Sequence, residues 1–201
     1  MKVIDVEQLS PEWFAARSGV PTSSEFHKII TTKGLPSKSR EAYLYRLAGE
    51  RIIGKPEETY QNSSMQRGIE LEPEAINYYQ ILRGEIVERV GFCLADESFK
   101  AGASPDGLVS KNGIIQIKCP SLAVHVGYLL KNELPSEYFQ QVHGELFVTG
   151  REWSDFMSYY PGMKPLILRV DRDDVFIKSL RIELEIFCEE LERTIKKLGD
   201  S

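Results

Sequence analysis

Cysteine is scarce in this chain. Cys93, Cys119 and Cys188 are the only three in 201 residues. Their odd number and wide spacing argue against a disulfide framework. No C-x-x-C or H-x3-H spacing occurs among them and His27, His125 and His143, so a structural zinc site is not expected. Cys119 with His143 is the one thiol and imidazole pair conceivable as nucleophile and base, and two such residues pair too easily by chance to carry that reading. Long apolar runs are missing too. Nothing approaches the roughly 20 residues needed to cross a bilayer, and Met1-Lys2-Val3-Ile4-Asp5 lacks the basic and apolar parts of a signal peptide. A cytoplasmic location is expected. Positive charge is also short: the net charge of −5 excludes a protein that coats nucleic acid through a bulk positive field, but leaves room for a local basic channel beside a cluster of acids. Repeats, low-complexity tracts and convincing linkers are absent, and residues 1–201 are read as one domain with a substantial core.

Taken in order, the chain opens on Ser10-Pro11-Glu12, where a serine cap and a proline in the first turn announce a short helix stopping near Gly19. Thr22-Ser23-Ser24-Glu25 has the pattern of a capping box and predicts a second helix from Ser23 or Ser24. Between the two, Arg17, several hydroxyls and a helix start converge. They form either a phosphate-holding turn or an ordinary capped turn with a surface arginine. Lys33-Gly34-Leu35-Pro36-Ser37-Lys38 reads as a basic loop, a DNA contact at Lys33 or a solvated connector.

Helical spacing recurs over residues 39–53, ended by Gly54, and from 63 or 64 to 82, with a break or kink expected at Pro73. Strand-like alternation follows over 85–96, and helices are expected from 122 to 130 and from 136 to 148. On the latter, His143 is read as structural. Strands over 153–160 and 166–170 and an amphipathic helix over 173–197, with Cys188 beside its apolar stripe, complete an α/β domain with a central mixed sheet flanked by helices.

The informative stretch is Ser104-Pro105-Asp106-Gly107-Leu108-Val109 followed by Ile115-Gln116-Ile117-Lys118-Cys119-Pro120. Two apolar runs joined through Lys111-Asn112-Gly113 read as a hairpin with an Asn-Gly corner. Gln116 and Lys118 are two apart and share a face, with Asp106 just before the facing strand. A carboxylate, a second oxygen ligand and a lysine suit metal-assisted phosphodiester hydrolysis: Mg²⁺ takes oxygen ligands, and the lysine acts on the attacking water. The arrangement resembles the PD-(D/E)XK nuclease signature, whose acid two before the lysine is here Gln116. An amide coordinates Mg²⁺ weakly, so this chain is expected to be impaired in cleavage. Its parent is expected to carry glutamate at 116, the other option being a naturally degenerate site. Acids around Glu72 are a source of a further metal ligand or a solvated surface.

Over almost its whole length the chain also resembles the lambda exonuclease and YqaJ-like viral recombinase family. The resemblance lies in Trp13-Phe14-Ala15-Ala16-Arg17 with Gly19-Val20-Pro21-Thr22-Ser23-Ser24-Glu25, in Arg67-Gly68-Ile69-Glu70-Leu71-Glu72, in Ser104-Pro105-Asp106-Gly107 with Ile117-Lys118-Cys119-Pro120, and in Tyr138-Phe139-Gln140-Gln141-Val142. It implies a phage or prophage enzyme that degrades one strand of linear duplex DNA from 5′ to 3′, using Mg²⁺ with Mn²⁺ as a substitute, and leaves a 3′ overhang for recombination. Asp106, the residue at 116, Glu72 and the Ile117 carbonyl would then hold metal. Lys118 would act on the water and Gln141 would orient substrate. Arg17, Ser24 and Ser104 would take the 5′-phosphate, and Met65 would wedge the duplex end. A homotrimeric ring and a single-strand annealing partner are implied as well. A silent DNA-end-binding protein and an endonuclease on the same core are the competing readings.

Overall fold

The computed structural model describes residues 1–57 and 63–199. Its elements begin with β1 (Lys2–Ile4), α1 (Pro11–Arg17), a 3₁₀ helix (Ser23–Lys28), α2 (Arg40–Ile53) and α3 (Ser63–Arg83). Short strands β2 (Val87–Glu88), β3 (Phe92–Leu94), β4 (Gly102–Ala103) and β5 (Gly107–Val109) lead to β6 (Gly113–Lys118). The remainder is α4 (Leu122–Lys131), a 3₁₀ turn (Ser136–Tyr138), α5 (Phe139–Thr149), β7 (Trp153–Ser158), β8 (Leu166–Asp171) and α6 (Asp174–Gly199).

The main sheet runs β2-β5-β6-β7-β8. It is mixed, because β6 and β7 pair in parallel while the other neighbours are antiparallel. Both faces are covered, so β6 is buried along its length except at Lys118, as a near-continuous apolar strand requires. Ile115 and Ile117 pack with Ala75, Ile76 and Tyr79 of α3 on one face. Ile114 joins Val142 and Leu146 of α5 in the larger core on the other. Gln116 and Lys118 share the parity of Ile114 and therefore face α5. The central mixed sheet flanked by helices is the expected fold class. No helix among the described residues is long and apolar enough to cross a membrane.

Several local expectations change. The second helix starts at Ser23 as expected but is 3₁₀ in type (Ser23–Lys28), and Thr22 caps nothing with its side chain. Glu25 is ion-paired with Lys28 and Arg46, and Tyr43 Oη accepts the Thr22 N–H at 3.2 Å. Tertiary partners thus replace the capping box. Helix α3 runs continuously through Pro73. The hairpin turn occupies residues 110–112, with Ser110 at φ 46°, and Gly113 lies within β6 opposite Val109 and Trp153. A Cβ at Gly113 would stand 2.1 Å from the Trp153 ring, so this glycine serves packing rather than the corner.

A second sheet, β1-β3-β4, has strands of two or three residues, too short for periodicity to signal. It nevertheless positions the site. Thr22 forms a parallel bridge to Gly102, and the Gly102 N–H donates to the Pro21 carbonyl at 2.9 Å. This brings the turn after α1 beside Ser104.

Candidate active site

Asp106 and β6 meet as the hairpin predicts. One oxygen of the Asp106 carboxylate, Oδ2, accepts the Gln116 Nε2 at 2.6 Å and also the backbone N–H of Ile117. Burial and then the charge of Glu72 push the Asp106 carboxyl up to about 7, while Lys118 and the Ile117 amide pull the other way. The Lys118 ammonium lies 5.0 Å from the Tyr138 ring centre. Tyr138 at the start of α5 thus helps to orient it. Glu72, from α3, lines the same cleft and accepts Arg89 at 2.7 Å.

Gln116 is only 2 % exposed, and its amide is read from both sides. Its Nε2 donates to Asp106, and its Oε1 accepts Gln141 Nε2 at 2.9 Å. Gln141 Nε2 also donates to Glu145 Oε1 at 2.9 Å. Glu145 is fully buried, and its Oε2 has no hydrogen-bond partner. Burial first, and then Asp106, hold its carboxyl well above the usual range. The sequence reading missed this residue. Its one signal was an acid four after Gln141 on a helix otherwise apolar at Val142, Leu146 and Val148.

Arg17 comes from the end of α1. Its Nη1 donates to Ser104 Oγ at 3.2 Å and its Nη2 to Thr22 Oγ1 at 3.4 Å. Trp13 Nε1 donates to the same Ser104 hydroxyl at 2.9 Å, and the guanidinium lies 4.1 Å from the Trp13 ring centre. Burial lowers the Arg17 pKa to about 10, which leaves it a cation at neutral pH. Ser24 stands 3.4 Å from Thr22 through their hydroxyls. The polar groups this turn offers are therefore side chains, Arg17, Thr22, Ser24 and Ser104, and not a helix terminus. Gly19 completes the turn at φ 66°. Its N–H donates to Glu50 and its carbonyl accepts Arg51, both at 2.8 Å, so α2 braces the turn.

A single cleft of about 800 Å³ is lined by Arg17, Ser24, Met65, Glu72, Asp106, Gln116 and Lys118. That size suits a nucleotide. Met65 stands on its wall, 49 % exposed. Lys33 lies exposed on the turn after the 3₁₀ helix and does not line the cleft; glycine, proline and lysine signal a loop without saying what the loop faces. His143 packs between Phe139 and Phe176, with burial lowering its pKa. Burial first, then Asp106 and Glu72, push the Cys119 thiol up to about 11. This opposes a thiolate role.

Among the described residues no three His, Cys, Asp or Glu side chains converge as a metal cage. The donors present are nevertheless of the kind a hard divalent cation uses: the Asp106 carboxylate, whose ionisation the charge of Glu72 opposes, the Glu72 carboxylate and the Ile117 carbonyl, while the Gln116 oxygen is turned to Gln141 and its N–H to Asp106. The two carboxylates and the carbonyl suit such an ion, whereas position 116 presents an N–H toward Asp106 where an acid would supply a charge.

An acid at the head of one strand and Gln-x-Lys on its neighbour, at the end of a mixed sheet between helices, make the core of a PD-(D/E)XK-type nuclease with a neutral residue at one acidic position. Residues 12–152 match the YqaJ-like viral recombinase domain, and the chain belongs to that family. It is similar to the alkaline exonuclease LHK-Exo of Laribacter hongkongensis, with 37 % identity, TM-score 0.87 and coverage of 95 % of this chain and 97 % of that one. LHK-Exo in complex with dAMP gives the same values. A phage-related exonuclease from Haemophilus somnus shares the fold at 16 % identity and TM-score 0.67, over 89 % of this chain and 96 % of that one. No curated protein matches the chain.

Proposed function

We propose that this chain has the site of a Mg²⁺-dependent exonuclease that degrades one strand of linear duplex DNA from 5′ to 3′ and leaves 3′ overhangs for recombination in the cytoplasm. The observation that carries the reading is the sharing of one cleft by the Asp106–Gln116–Lys118 group and the Arg17–Ser24 turn. A phosphate held at the turn sets the scissile bond beside the acid and the lysine. A divalent cation held by Asp106, Glu72, the residue at 116 and the Ile117 carbonyl would neutralise phosphate oxygens and acidify a bound water; Mn²⁺ offers the same coordination.

The protein's own side chains supply the rest. Lys118 lines the cleft, where it orients or deprotonates the attacking water. Gln141 holds the residue at 116. Arg17, Ser24 and Ser104 bind the terminal 5′-phosphate, and Met65 offers an apolar wedge to the end of the duplex. Each cleavage exposes a new 5′-phosphate for the same pocket, which gives a physical route to processivity. The dAMP seen with LHK-Exo is a ligand of the class this pocket would take.

A ring-shaped homotrimer with a single-strand annealing partner goes with this reading. Ile81 and Ile86, 80 % and 82 % exposed, are apolar surface of the kind such contacts cover. Light scattering at micromolar concentration should give the trimer mass, and a monomer would remove the ring.

A second reading is supported by one contact. Gln116 donates an N–H to Asp106 at 2.6 Å, so a donor stands where a cation would bridge the two side chains. This favours a chain that binds DNA ends without cutting them. Digestion of linear 5′-phosphorylated duplex in Mg²⁺ by this chain and by Gln116→Glu separates the two. Nucleotide release by the glutamate form alone supports the exonuclease with an impairing residue at 116; end binding without cleavage by either form supports the silent binder.

A further inference from the structure

Leu9 sits at φ 70°, in the left-handed region. It is third in a turn closed by the Ser10 N–H on the Glu7 carbonyl at 3.1 Å, a position that suits glycine or asparagine. Of the other non-glycine residues at positive φ, Asn132 is a type that tolerates it and Ser110 is small and polar. A branched leucine there is strained. Burial does not offset the strain, since Leu9 remains 44 % exposed.

The turn is nonetheless firmly held. Gln8 Nε2 donates to the carbonyls of Val90 at 2.8 Å and of Pro105 at 3.0 Å, one residue from Asp106. On the other side Ser10 Oγ accepts the Trp13 N–H at 3.1 Å. Fixed at both ends, the turn presents Leu9 to the cleft, whose wall it shares with Trp13, Phe14 and Arg17.

We propose that Leu9 contacts substrate, packing its side chain against the base and sugar of the nucleotide whose 5′-phosphate Arg17 holds. The inference rests on the DNA-end reading above. Arg17 and Ser104 are charged and polar and suit the phosphate, whereas the base and sugar offer apolar faces and need an apolar neighbour. Leucine has no donor or acceptor, so the contact is blind to sequence, as stepping along any duplex requires.

The test uses this chain as it stands, binding a fluorescent 5′-phosphorylated duplex in parallel with a melting curve. Leu9→Gly and Leu9→Asn both suit the left-handed turn. Their melting temperature should equal or exceed the parent's, by up to about 4 °C, while the dissociation constant for the end rises about 5–10-fold. Leu9→Met should keep the parent's affinity, and inorganic phosphate should compete equally against all four proteins. Unchanged affinity in both the glycine and asparagine forms overturns the proposal. So does a parallel loss of inorganic phosphate binding, which would mean a displaced Arg17 pocket. If the parent itself binds no phosphorylated end, the DNA-end reading fails and Leu9 falls with it; if the parent binds and the variants bind equally, Leu9 alone fails.

Discussion

Gln141 Nε2 lies 2.9 Å from both Gln116 Oε1 and Glu145 Oε1, so one amide group spends its two protons on the strand and on its own helix. Gln141 is thus a donor toward position 116 as well as toward Glu145. A donor there suits a carboxylate as well as an amide. Residue 116 is thus held between a donor, Gln141, and an acceptor, Asp106.

Glu145 has a stability consequence with a definite sign. Its folded pKa is raised well above 4.5 by burial, so between those values the folded chain holds a proton that the unfolded chain has released. Stability from this group is full below about 4.5 and falls as pH rises toward the folded pKa. Glu145→Leu should therefore gain more at pH 8 than at pH 5, by about 1–4 kcal/mol at the higher value. Urea midpoints at the two pH values measure it, and an equal change at both would rule the linkage out.

At position 116 the contact with Asp106 sets the second prediction. Gln116→Glu would trade the N–H donated to Asp106 for a second carboxylate in the same buried place. Without metal the two acids repel, and the variant should melt about 2–8 °C below this chain in EDTA. Mg²⁺ or Mn²⁺ should restore the loss in the glutamate form and have little effect on the parent. Calorimetric titration with Mn²⁺ gives the affinities directly; equal metal responses would deny residue 116 a place in the centre.

Much of this site was legible in the sequence because it is local. Asp106, Gln116 and Lys118 lie within one hairpin, and period-two alternation puts Gln116 and Lys118 on the face away from Ile115 and Ile117. Ser10 caps Trp13 and Gly54 ends α2 at φ 75° because both signals act within a turn of their helix. What stayed hidden depends on contacts distant in sequence. Arg89 reaches Glu72 across 17 residues and Gln8 reaches Pro105 across 97. The 3₁₀ helix replaced the expected capped helix because Tyr43 and Arg46, from α2, took its polar groups.

Lys118 provides a test of chemistry separate from binding. It is the basic side chain that β6 sends toward Tyr138 at the cleft. In the Gln116→Glu background, Lys118→Ala should lower kcat about 10²–10⁴-fold, the usual range for a positioned proton-transfer group, with the DNA dissociation constant changed little. Single-turnover rates and end binding measured on the same preparation separate the two effects. Substantial residual turnover would remove Lys118 from the mechanism.

Arg17 should govern which ends the protein recognises. Its guanidinium is fixed by Ser104, Thr22 and the Trp13 ring and remains charged at neutral pH. A 5′-phosphate entering here would take charge-assisted bonds that a 5′-hydroxyl cannot. Arg17→Ala should raise the dissociation constant for phosphorylated ends about 10–100-fold and leave that for hydroxyl ends nearly unchanged. Arg17→Lys should recover only part, because an ammonium cannot reproduce the planar fork that spans Ser104 and Thr22. Competition between phosphorylated and hydroxylated duplexes, in this chain and in the glutamate form, measures the preference in binding and in turnover. A preference that survived Arg17→Ala in both would put the phosphate pocket elsewhere in the cleft.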